Sequence, residues 1–151
     1  MTSIDEQERA QRSAEVLFAS DHAARHLGIE LKDIGPGRAQ LQMRVLQNML
    51  NGHASCHGGF LFTLGDAAFA FACNSFNQVA VASSASIEFL SPAYLDDLLT
   101  AEASMQYQGG RSGLYDVLIS NERGERIALF RGRSQRLRDT LFDESVNSQT
   151  P

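Results

Sequence analysis

The chain has 151 residues, 43% of them hydrophobic and 21% charged, with a formal net charge of −5. One domain of this length buries enough surface to fold without disulfides or a metal, whereas two halves would each be too small for a good core. The composition excludes wholesale disorder, and the acidic balance excludes a nucleic-acid binder working by global electrostatics. No apolar run reaches the ~18 residues of a membrane span. The charged start from Met1 to Arg9 lacks the apolar stretch of a secretory leader, so the sequence predicts a cytoplasmic protein. Cys56 and Cys73 read as reduced thiols, too few and too far apart for a disulfide framework.

Residues 3–19 read as a helix, with Ser3 as its cap and Glu6 three positions on, as in a capping box. Its apolar face (Ile4, Ala10, Ala14, Val16, Leu17) is thin, which places it on the outside of the domain. Asp21 to His26 read as a short second turn, so residues 1–26 form an N-terminal helical segment. Strands follow over 27–34 and 37–46, joined by Gly35-Pro36-Gly37. In the second, Ala39, Leu41, Met43 and Val45 alternate with Arg38, Gln40, Gln42 and Arg44, the period of a half-buried strand.

A helix is predicted from Gly58 to Phe76, apolar almost all round from Phe60 to Cys73, and a helix apolar on every side is buried on every side. Four strands come next, over 79–90, 98–108, 112–121 and 125–137, with turns at Ser91-Pro92, Gly109-Gly110 and 121–124. The polar residues 139–151 read as a frayed tail, leaving a domain over 27–138. Runs of strands around one helix predict an α+β fold, an antiparallel sheet wrapped around one long buried helix. The Ala and Gly residues of that helix let the sheet approach its axis closely.

Asp66 is the one charge in the apolar helix. A buried carboxylate is costly unless paired or protonated. Asp66 therefore marks a functional site, or meets an Arg distant in sequence, or caps a neighbouring helix. Ahead of it, Gly58-Gly59 at a helix start leaves backbone N–H groups bare for an anion or a developing oxyanion, or else permits close contact with the sheet. His53, Cys56 and His57 suggest a metal, but His53-x-x-x-His57 lacks the third ligand and the Glu of a metalloprotease helix, with Ala54 in the Glu position, so no metal is predicted. Neither a serine-hydrolase elbow, a P-loop nor a dinucleotide fingerprint is present. The C-terminal strands are rich in Arg, and Arg131 and Arg133 share one strand face by parity. They are candidates for phosphate, which the guanidinium fork suits, or are solvated surface charges.

Asn51-Gly52-His53, His57-Gly58-Gly59 and Leu64-Gly65-Asp66-Ala67-Ala68-Phe69-Ala70 together resemble the hotdog-fold acyl-CoA thioesterases of the phenylacetate-degradation (PaaI) type. The resemblance extends through residues 82–92 and 129–134 and so covers roughly 25–137, nearly the whole domain. Gly65 stands where the family has Ala, a change with no expected bearing on the chemistry. The resemblance implies hydrolysis of aryl-acetyl-CoA without metal or cofactor, in dimers or pairs of dimers with acyl-CoA at the dimer interface. It implies Asp66 as nucleophile or general base, and the Gly58 N–H polarising the thioester carbonyl. Asn51 would position water or support the tetrahedral intermediate, and His57 would line the acyl pocket. Ser83 and Ser84, with Arg131 and Arg133, would bind the substrate. Neither nucleic acid nor membrane is an expected partner.

Two other readings share the fold: a non-catalytic acyl-CoA sensor, and a hotdog enoyl-CoA hydratase. The segment before residue 27 is too short for a DNA-reading output module. Helix geometry adds an expectation of its own. Eight residues at 1.5 Å rise put Gly58 and Asp66 about 12 Å apart, whereas a nucleophile and an oxyanion donor must meet around one carbonyl within ~3–3.5 Å. The two therefore cannot serve one thioester from a single chain, and an obligate dimer or higher oligomer follows, with two composite sites per dimer.

Overall fold

The computed structural model describes residues 3–145. In chain order the elements are helices α1 (Glu6–Ser20) and α2 (His22–His26), strands β1 (Glu30–Gly35) and β2 (Arg38–Arg44), a 3₁₀ turn (Gln47–Met49), helix α3 (Gly58–Cys73), and strands β3 (Ala80–Phe89), β4 (Leu98–Gly109), β5 (Ser112–Ser120) and β6 (Arg126–Arg136). The six strands make one sheet in the order β1-β2-β4-β5-β6-β3, antiparallel throughout. Helix α3 lies along one face of it. This is the α+β hotdog arrangement expected from the sequence.

Local chemistry moves several boundaries. Asp5, not Ser3, caps α1: its backbone is extended and its carboxylate accepts from the Glu8 N–H at 2.7 Å. An acidic cap also meets the positive end of the helix. Leu27 closes α2 and Gly28 turns the chain at φ +70°, so β1 begins at Glu30, three residues later than the pattern suggested. Helix α3 stops at Cys73 because Asn74 ties its end to β3, bonding Ala70 O at 2.8 Å and both backbone groups of Ala80. Within the tail read as frayed, residues 139–145 are held. Val79 N–H donates to Asp139 O, the Asn77 amide bonds the backbone of Leu141 and Phe142, and Arg9 pairs with Glu144 at 2.6 Å. Residues 146–151 lie outside the described residues.

The core lies between α3 and the middle strands. Leu41, Ala101, Ile119 and Ala128 stand in register across β2, β4, β5 and β6, all buried. Helix α3 meets this face with Leu64, Ala68, Phe69 and Ala72. The expected close approach is real: a Cβ on Gly132 would stand 2.6 Å from the Phe69 ring, and one on Gly65 3.0 Å from the Phe130 ring. The first contact leaves room for glycine alone, since Phe69 is itself fixed against Tyr115 and Phe130.

Helix α3 is not buried on every side within one chain. Gly59, Phe62, Thr63, Asp66 and Ala70 form a stripe that is exposed or half-buried, and Phe62 is 37% exposed. Strand β3 is likewise open on both faces from Val81 to Ser86, and its outer edge has no strand partner among the described residues. Hydrophobicity reports that a surface needs cover, not which chain supplies the cover.

Candidate active site

The start of α3 is held by two loops. Cys56 N–H donates to Ala93 O at 2.7 Å, and His57 N–H donates to Met49 O at 2.8 Å. Asn51 organises the first loop from within. Its Oδ1 accepts from His53 N–H at 2.9 Å, Ser55 N–H at 3.2 Å and the Ser55 hydroxyl at 3.3 Å. The amide oxygen is thereby spent and the orientation of the side chain fixed, leaving its NH₂ as a donor. No acceptor meets that NH₂ among the described residues, and none meets the Gly58 N–H, the first helical donor. Both residues line one cleft of about 420 Å³, with Ser55, Cys56, Leu61 and residues 89–92. Two free donors and the positive end of a helix make this cleft a seat for developing negative charge.

His57 stands beside the cleft rather than in its lining. It is the cap of α3: its Nδ1 accepts from Gly59 N–H at 3.2 Å. That bond satisfies one orphan donor of the helix and leaves the Gly58 donor free.

Asp66 sits two turns further along the unbroken α3, about 12 Å from Gly58 by helical rise, and outside the cleft lining. Its carboxylate takes part in no hydrogen bond or ion pair among the described residues. Burial first, and the charge of Asp21 second, hold its carboxyl above the ordinary aspartate value. Asp21, the residue between α1 and α2, is a neighbour that sequence reading missed.

Arg131 and Arg133 lie on the sheet face away from α3, since the intervening Gly132 meets Phe69. Arg131 is held by Asp116 through two bonds of 2.6 and 2.9 Å, and Arg133 donates to Ser112 Oγ at 2.9 Å. Ser84 is the cross-strand partner of Arg133. Ser83 falls at the irregularity of β3, its hydroxyl 3.3 Å from Arg133 O. The structure thus brings Asn51 and Gly58 together, groups Arg133 with Ser83 and Ser84, leaves Arg131 on Asp116 beside Ser86, and keeps Asp66 apart from both sets. It also adds a cleft wall, Phe89 to Pro92, that the sequence showed only as a strand end and a turn. Among the described residues, no group of three His, Cys, Asp or Glu is placed to hold a metal ion, and no helix is long and apolar enough to cross a membrane.

The thioesterase superfamily model matches residues 53–128. The acyl-coenzyme A thioesterase PaaI of Escherichia coli K12 is 44% identical over 91% of this chain and 98% of its own. The structure of the E. coli PaaI protein, from the phenylacetic acid degradation operon, superposes with a TM-score of 0.89 over 90% of this chain and 99% of that one. A mutant phenylacetic acid degradation protein PaaI from Thermus thermophilus is 33% identical, with a TM-score of 0.74 over 76% of this chain and 98% of that one. A hypothetical thioesterase protein of Streptococcus pneumoniae solved with coenzyme A is 28% identical, with a TM-score of 0.69 over 72% of this chain and 87% of that one. The chain belongs to the thioesterase superfamily. Within it, the chain is a hotdog-fold enzyme related to the PaaI acyl-CoA thioesterases.

Proposed function

We propose that this enzyme hydrolyses aryl-acetyl thioesters of coenzyme A to the free acid and CoA, in dimers whose active sites are shared between chains. The observation that carries the reading is the pair of unpartnered donors, the Gly58 N–H and the Asn51 amide, on one cleft at the start of α3. The similarity to a phenylacetate-degradation thioesterase supports the acyl group. The coenzyme A in the pneumococcal relative supports the carrier.

In this reading the thioester oxygen lies against the two donors, which gain strength as it becomes an oxyanion. Asp66 of the partner subunit supplies the attack. As a nucleophile it forms a bond to the carbonyl carbon, the C–S bond breaks, and the CoA thiolate leaves and takes a proton. Water then cleaves the mixed anhydride to the free acid and the restored carboxylate. As a general base, Asp66 takes the proton of the attacking water and returns it to the departing sulfur. His57 serves by holding the helix start. Arg133 and Ser84, side by side on the outer face with Ser83, take CoA phosphates, while Arg131 reaches them only by sharing its guanidinium with Asp116.

The open stripe of α3 and the unpaired edge of β3 support the dimer. A long edge of small residues with neither Lys nor Pro invites pairing. A two-fold pairing there extends the sheet and lays the two α3 helices side by side and antiparallel, with Asp66 of one facing Gly58 of the other. Pairs of such dimers complete a homotetramer. The free thiols of Cys56 and Cys73 fit a cytoplasmic setting. Mixing the protein with phenylacetyl-CoA and a thiol reagent tests the reading. Continuous thiol release is expected; binding without turnover would make it a sensor, and water addition to an enoyl-CoA instead would make it a hydratase.

A further inference from the structure

The cleft with the two donors has an aromatic wall that the mechanism above does not use. Phe89 is the last residue of β3. Its register partner is buried Ala128, while its neighbour Glu88 pairs with exposed Leu129, so Phe89 faces the helix side of the sheet. There its ring lies on Gly58, close enough that a Cβ on that glycine would stand 2.9 Å from the ring tip. Within one chain the other side of the ring is open: Phe89 is 56% exposed, although it touches the residue that carries the donor. The strand end is fixed, since the Leu90 and Ser91 N–H groups both donate to Ile127 O, at 2.9 and 3.3 Å.

The rest of the lining fits an uncharged, apolar occupant. Cys56 and Leu61, 5% and 3% exposed, form the floor, and Leu90 and Pro92 continue the wall. The polar members Asn51, Ser55 and Ser91 carry no charge, and the Cys56 thiol stays neutral, pushed up to about 11 by burial. A carboxylate entering this cleft would lose its water and meet no cation.

We propose that Phe89 selects the acyl group. With the thioester oxygen on the Gly58 N–H, the carbon next to the carbonyl comes against the Phe89 ring. That ring rewards a flat apolar substituent, whose ring meets it edge-on or offset, over a bare acetyl group, and the cleft rejects an acyl chain ending in a carboxylate. The inference rests on the thioesterase reading of Gly58 given above.

The test compares kcat/KM for phenylacetyl-CoA, acetyl-CoA and malonyl-CoA in the wild type, Phe89→Leu and Phe89→Ala. Phe89→Ala should lower kcat/KM for phenylacetyl-CoA about 10–100-fold and for acetyl-CoA less than about threefold, with Phe89→Leu between, the range a hydrophobic pocket can discriminate. Malonyl-CoA should be the poorest substrate of the wild type. If Phe89→Ala does not fold, Phe89→Leu reads the same ratio. Equal losses on phenylacetyl-CoA and acetyl-CoA would overturn the proposal and reduce Phe89 to a support for Gly58, no loss on either would overturn it too, and malonyl-CoA turned over as fast as phenylacetyl-CoA would overturn the rejection of a carboxylate. A wild type that hydrolyses none of the three would remove the function and the selectivity together, whereas an active wild type with a ratio indifferent to Phe89 removes the selectivity alone.

Discussion

Strands β5 and β3 belong to one sheet and have opposite surroundings. In β5 every second residue is buried, and Tyr115, Val117 and Ile119 face α3. In β3 only Ala80 is buried, and both faces are open from Val81 to Ser86. Helix α3 is divided the same way, sealed along Leu64, Ala68 and Ala72 and open along Phe62, Thr63 and Asp66. One half of the core is therefore finished by the chain itself, and the other half stays open, with Phe62, Ala70 and Val81 among small and polar residues. The candidate acid lies on the unfinished half, and the candidate donors stand at the end of the helix. In the proposed reading, stability and catalysis draw on different sides of one helix, so changes to each side should have separable effects.

The largest effect is expected on the open side. Asp66→Asn should lower kcat about 10²–10⁴-fold, the contribution of a positioned base, and more if Asp66 is the nucleophile, while a thermal melt shows an intact fold. The same carboxyl has a pH signature. Its proton is held more tightly in the folded chain, because of burial and then Asp21. It therefore stabilises the fold below the ordinary carboxylate range, and that contribution is lost as pH rises through the folded value. Activity needs the ionised form, so the acid limb of kcat/KM should lie above the ordinary aspartate value. Asp21→Asn, which keeps the cap of α2, should shift that limb to lower pH; a limb indifferent to Asp21 would separate the two carboxylates.

On the sealed side, Phe69→Ala should cost about 3–5 kcal/mol of stability in denaturant unfolding, as a large cavity opens between Tyr115 and Phe130. Phe62→Ala, on the open stripe, gives up one edge-on contact with Phe130 and should cost the fold of one chain only about 1 kcal/mol, while making activity fall on dilution, read by sedimentation alongside turnover. Equal unfolding costs for the two would erase the distinction between the halves.

The smallest effect belongs to the outer face. Arg133→Ala should raise KM a few-fold, more at low salt than at high, as for an exposed charge on a phosphate. Arg131→Ala should raise it less, since that guanidinium already holds Asp116. Unchanged KM for both would return them to solvated surface.

Much of this was legible in the sequence. The alternation of Ala39, Leu41 and Met43 marked β2, and Gly58-Gly59 marked the start of α3 with its bare donor. What was not legible depends on chain segments far apart. The cleft wall at Phe89 to Pro92 meets the Asn51 loop because Cys56 bonds Ala93 and Ser55 bridges to Tyr94. The tie between Arg131 and Asp116 crosses from β6 to β5. Asp66 read as a buried charge because its neighbours are apolar, but within one chain those neighbours leave it half open.

The central claim, one site built from two chains, is tested most directly by subunit mixing. Asp66→Asn and Asn51→Ala are each expected to be nearly inactive alone. Dissociated together in equal amounts and reassembled, about half of the dimers would be mixed, each with one doubly damaged site and one intact site. Activity should recover towards about a quarter of the wild-type total. No recovery, with exchange of subunits demonstrated, would place Asp66 and Asn51 in the same chain's site and contradict the account.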